Sequence, residues 1–286
     1  FDRLLAGNLA GWEQWPQRRR FVRDAAVYGR LRALPAAMVR QALEDPRSRE
    51  DMLLGAEVAE VLGLTLNGFA GQAAGREAWM LQRHYFYDDE DGRASFASFR
   101  RAYRDGGWTW TEQDGGVTVR KGPMRIEANL PGREYAMTGT PGVVVHRGHE
   151  FHVPKTLAVL PHSAAFVFLG SCRGMGSVAD VLRLAPRADV LVTRATGSHT
   201  VNDPLLKALN EAALDGGVKW ETFWNAQKRR FRGNPLFGEY VAPHRNAAAY
   251  VIKAYERYLA SESAPAVGEI FARWRAELAG RQARLP

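Results

Sequence analysis

The chain has 286 residues, 46% of them apolar, a formal net charge of +8 and one cysteine. That length and apolar content suit one large or two modest globular domains, and a single thiol excludes an intrachain disulfide framework and any cysteine-rich zinc cluster. No apolar run approaches the roughly 18 residues of a membrane-spanning helix. The chain starts at Phe1 rather than Met, which is compatible with a preceding export signal, anchor or domain and leaves localisation open.

From about Arg18 to Gln82, apolar residues such as Phe21, Ala25, Tyr28 and Leu31 recur at helical spacing, punctuated by Pro16, Pro35 and Pro46. Residues 1–82 are therefore predicted to be an all-α N-terminal region. Residues 84–87 read as a strand entering the acidic loop Asp88-Asp89-Glu90-Asp91-Gly92, and residues 95–104 as an amphipathic helix. Residues 108–111 and 117–129, around Gly115 and Gly116, predict short strands joined by a hairpin. Then strands at 143–145, 166–169 and 189–193 alternate with helices at 154–160, 178–184 and 203–214. This alternation predicts an α/β domain over residues 83–215, with a mostly parallel sheet flanked by helices. Residues 216–286 read as a helical C-terminal extension packed on that domain, broken at Gly233-Asn234-Pro235 and Pro243, with Trp220, Phe223 and Trp224 as core contacts.

The basic runs Arg18-Arg19-Arg20 and Lys228-Arg229-Arg230-Phe231-Arg232 come without a nucleic-acid motif or aromatic stacking pattern, and read as solvated helix faces. Acidic proteins or surfaces fit the net charge as partners through electrostatic steering.

The chemistry concentrates at two strand ends. The run Phe166-Val167-Phe168-Leu169 delivers Cys172 into the loop Gly170-Ser171-Cys172-Arg173-Gly174, and Val143-Val144-Val145 ends in His146-Arg147-Gly148-His149. A thiol attacks as its thiolate, and a neighbouring imidazole carries the proton. In open α/β sheets the site lies beyond the carboxyl ends of the strands, where both groups are expected. His149 and His146 are candidate bases, with His152 a third. Their three-residue spacing falls outside any predicted helix and is not read as a metal site. The competing reading of Cys172 is an inert buried thiol.

The order of strand, acidic loop, helix, strand ending in Gly148-His149 and strand ending in Ser171-Cys172-Arg173-Gly174 resembles the caspase-like cysteine peptidases. That group includes caspases, gingipains, legumains, separases and the bacterial CHAT domains, and the resemblance covers about residues 83–215. It implies a caspase-like sheet and a cysteine endopeptidase working by a Cys172/His149 dyad without a cofactor, with His146 the alternative base. Backbone amides near Gly148 and Cys172 would form the oxyanion hole. In several members that cleave after Arg or Lys an acidic residue lines the specificity pocket, which implies that role for Asp88 or Asp89. A solvated turn with a favourable charge at a helix start is the other reading of the pair. Thr196 and Ser198, in the loop after the last parallel strand, would donate hydrogen bonds to a bound peptide, or cap the helix that follows.

The implied partner is a protein or peptide substrate, and nothing in the sequence sets the oligomeric state. Glu150 follows His149 where the family carries glycine. This departure, with the helical flanks, favours the alternative of a catalytically inactive caspase-like interaction module.

Overall fold

The computed structural model describes residues 75–246 except 134 and 137, together with Pro16, Ala249, Ile252 and Lys253. The expected N-terminal helices lie, up to residue 74, outside the described residues, as does most of the extension beyond residue 246.

The described residues form an α/β unit around one eight-stranded sheet. Its strands are β1 (Leu81–Phe86), β2 (Thr109–Gln113), β3 (Gly116–Lys121), β4 (Met124–Asn129), β5 (Val143–Arg147), β6 (Phe166–Leu169), β7 (Asp189–Thr193) and β8 (Tyr240–Val241). The spatial order is β2-β3-β4-β1-β5-β6-β7-β8. β4, β1, β5, β6 and β7 run parallel, and β2, β3 and β8 make the antiparallel edges. Among the described residues the α-helices whose bounds are defined are α1 (Glu90–Ala102), α2 (Val153–Ala158), α3 (Val178–Leu184), α4 (His199–Leu214) and α5 (Trp220–Arg230).

Burial on both faces explains the uninterrupted apolar runs: every residue of β5 and β6 is buried. On one face Phe86, Val143, Val145, Phe166, Phe168 and Leu191 pack with Phe99 and Tyr103 near α1, the apolar side of α4, and Trp220 and Trp224 of α5. Alternation turns the intervening residues to the opposite face, where His146 meets Thr156 of α2.

The winding of the chain also reverses within the sheet. From β1 the chain crosses outward to the edge strand β2 and returns through β3 to β4, whereas from β5 it winds the other way to β6 and β7, so the winding reverses between neighbouring parallel strands β1 and β5. Sites in such sheets form at this reversal, beyond the carboxyl ends of the strands.

Several boundaries differ from the sequence expectations. β1 starts three residues earlier than predicted and ends before Tyr87. α1 starts at Glu90 because Asp89 caps it, its carboxylate accepting from the Gly92 amide at 2.6 Å. α4 starts at His199, four residues earlier than predicted, with Ser198 as its cap and Pro204 tolerated inside it. The two-residue strand β8 lies in the stretch predicted to be helical, and pairs Val241 with Val192 and Tyr240 with Thr193.

Candidate active site

The cysteine loop is pinned on both sides of the thiol. The Thr193 hydroxyl donates to the Ser171 carbonyl and accepts from the Gly174 amide, and the Arg173 amide donates to the Ala195 carbonyl at 2.8 Å. Asn202 Nδ2 donates to the Gly170 carbonyl at 2.9 Å. Two glycines let these segments approach. A Cβ on Gly197 would overlap the Gly170 carbonyl, and one on Gly170 would come within 2.9 Å of the Asn202 amide. Arg173, with φ of 52°, is the one non-glycine residue in the left-handed region among those described. The turn it completes leaves Cys172 partly exposed.

The histidine loop leaves β5 through Gly148, whose φ of 151° suits glycine. His149 is half-exposed; its Nδ1 lies 3.2 Å from Asp91 Oδ2, and its ring stacks on the exposed Phe151 at a centroid distance of 5.3 Å. With Nδ1–H directed at Asp91, Nε2 is left as a proton acceptor. The His149 amide also approaches Asp89 Oδ2, at 3.4 Å.

The two loops are neighbours. In the β5–β6 register His146 pairs with Leu169, and His149 and Cys172 each lie three residues beyond that pair. The residues that follow them meet across the gap, with Arg173 Nη1 3.7 Å from Glu150 Oε1. Among the described residues the Cys172 thiol makes no hydrogen bond, to either imidazole or to anything else.

His146 has a different environment. It is fully buried, with Nδ1 2.8 Å from Thr156 Oγ1 and Nε2 3.2 Å from the His149 carbonyl. A carbonyl only accepts, so Nε2 carries the hydrogen and Nδ1 accepts from Thr156, whose oxygen accepts in turn from the Tyr87 hydroxyl at 2.7 Å. Burial, only partly opposed by the bond to the His149 carbonyl, holds the His146 pKa down at about 4. It is a neutral prop beneath the His149 backbone. His152 stacks on Tyr87 and places Nε2 3.1 Å from Asp89 Oδ2. Burial and then Lys155 lower its pKa against the pull of Asp89. The three imidazoles thus face separate partners instead of converging.

The other predicted site residues occupy the same edge with varied commitments. Asp88 is exposed and pairs with Arg93 at 2.8 Å. Asp89 is divided between capping α1 and meeting His152. Ser198 Oγ accepts from the Thr200 amide as the cap of α4, and Thr196 is exposed on the loop before it.

Sequence reasoning missed Asp91 as the partner of His149, and Thr156, Asn202 and Asp203 altogether. Asp91 carried a signal, because it stands in the acidic loop at the strand end. The others read in sequence as ordinary polar helix residues. No protein-family model, curated protein or solved structure matches this chain.

Proposed function

We propose that the protein is a cysteine endopeptidase in which Cys172 is the nucleophile and His149 the base, built on a caspase-like sheet. The observation that carries the reading is the neighbouring placement of the two loops, with His149 and Cys172 equally far beyond paired β5 and β6 residues and Glu150 meeting Arg173 between them. Asp91 adds an orienting carboxylate on the far side of the imidazole.

In this mechanism His149 Nε2 takes the Cys172 proton and the sulfur bonds to the peptide carbonyl carbon. The oxygen takes up the negative charge, stabilised by backbone amides near Gly148 and Cys172. Collapse breaks the C–N bond, and the imidazolium gives its proton to the leaving amine. Water, deprotonated by His149, then displaces the sulfur from the thioester. For substrates with Arg or Lys before the cut, Asp88 is the better-placed carboxylate, because its exposed pair with Arg93 is weak and exchangeable whereas Asp89 is tied into the α1 cap.

One observation favours a second reading, an inactive interaction module: no hydrogen bond joins thiol and imidazole among the described residues. Catalytic hydrogen bonds are often long in unliganded enzymes and tighten with substrate, so the peptidase reading stands as the stronger. The test is turnover of a peptide panel, including Arg and Lys before the scissile bond, by wild type and Cys172→Ala. Cleavage by wild type that Cys172→Ala loses supports the peptidase; equal turnover by both, or none by wild type on any peptide, removes it.

A further inference from the structure

The structure assigns a positioning role to two adjacent side chains of α4, Asn202 and Asp203, which between them hold both loops of the proposed Cys172/His149 pair. The inference rests on that peptidase reading. Asn202 and Asp203 are 2% and 1% exposed. Neighbouring residues on a helix project about 100° apart, so one turn can address two adjacent strand ends. Asn202 Nδ2 donates to the carbonyl of Gly170, two residues before Cys172. Asp203 accepts from both Nη atoms of Arg147, at 2.5 and 3.0 Å, and Arg147 stands two residues before His149. Each loop is held at the same remove from its reactive group, and both holds come from one rigid turn.

Stability alone does not account for these groups. A buried ion pair is often no better for folding than apolar residues of similar volume. Here it also leaves Arg147 Nε buried without a partner, which is a cost. What a bidentate guanidinium–carboxylate pair supplies is direction. The Asn202 amide is likewise directed. The buried Tyr240 hydroxyl donates to its Oδ1 at 2.7 Å, which turns Nδ2 toward Gly170. Gly170, lacking a Cβ, admits it. β8, which carries Tyr240, thereby reaches the cysteine loop through two hydrogen bonds in series, Tyr240 to Asn202 and Asn202 to Gly170.

The test uses iodoacetamide labelling of Cys172 across pH 5–9 in the full chain, with thermal unfolding measured in parallel. Asn202→Asp keeps the shape but turns a carboxylate on the Gly170 carbonyl. The double change Arg147→Met with Asp203→Leu keeps the core filled without direction, and Tyr240→Phe removes one oxygen. Each variant is also made with His149→Ala. The expected result is folded variants that label at least tenfold more slowly than wild type near pH 7 and no longer respond to His149→Ala, with Tyr240→Phe slowed less. Folded variants that label as fast as wild type and still depend on His149 overturn the positioning role while leaving the dyad intact. Tyr240→Phe decides alone should the others not fold, with unchanged labelling counting against the role. A wild type whose labelling is indifferent to His149→Ala removes the dyad, and this inference with it.

Discussion

Thr156 serves two groups at once: its single oxygen accepts from the Tyr87 hydroxyl and donates to His146 Nδ1 in a buried environment. Replacing it with valine, nearly isosteric, leaves the buried His146 Nδ1 without a partner and takes one from the half-buried Tyr87 hydroxyl. The expected cost is about 1–3 kcal/mol, because a buried polar group without a partner loses its hydration uncompensated. Thr156→Ser keeps the oxygen and is expected to recover much of the loss. Urea denaturation of the three proteins checks the order, wild type above serine above valine. Unlike Cys172 and His149, Thr156 carries no sequence signal of its role. A threonine in a short helix becomes informative only when folding sets it opposite the end of β5, whereas a lone thiol and a Gly-His pair after apolar runs announce themselves.

The turn from β1 into α1 shows why acidic residues and a glycine stand together. Asp89 caps the helix through the Gly92 amide, and a Cβ at Gly92 would overlap the Tyr87 carbonyl. Gly92→Ala is therefore expected to destabilise by about 1–3 kcal/mol, despite alanine's better helix propensity, since backbone and not a flexible side chain must give way. A urea midpoint equal to or above wild type's would contradict this packing. The same turn bears Asp91, so Gly92→Ala is also expected to weaken the dependence of Cys172 labelling on His149.

Legibility differed among elements for physical reasons. β5, β6 and β7 were readable because burial on both faces gives each a continuous apolar run, Val143-Val144-Val145, Phe166-Val167-Phe168-Leu169 and Val190-Leu191-Val192. The start of α4 was not, because His199, Thr200 and Asn202 are indifferent helix formers and the helix is fixed there by the Ser198 cap and by Asn202 contacts distant in sequence. β8 was hidden because two residues make no period; its place comes from pairing with β7.

Across the whole molecule, buried neutral imidazoles set a pH dependence. Burial holds His146 and His244 each at about 4 and His84 well below its ordinary value. The unfolded chain binds these protons near pH 6.5 and the folded chain does not. Stability is therefore full above pH 6.5 and falls as pH drops toward 4, His146 alone contributing up to about 3 kcal/mol of the loss. Asp189, whose carboxyl is raised by burial against Lys253 and Trp220, acts in the opposite direction. Unfolding free energies at pH 7.5, 6 and 5 should decline in that order; a flat or rising series would mean that these rings are solvated or charged in the fold.

No helix among the described residues is long and apolar enough to cross a membrane. The sheet brings the carboxyl ends of β1, β5, β6 and β7 to one edge, and all the proposed chemistry lies there. The most direct measurement of that proposal is the pH profile of Cys172 alkylation by iodoacetamide in wild type and His149→Ala. Labelling in wild type is expected to be at least tenfold faster than in the variant at pH 6–7, converging above the ordinary thiol pKa of about 8.5. Superimposable profiles, each rising only near that pKa, would contradict it.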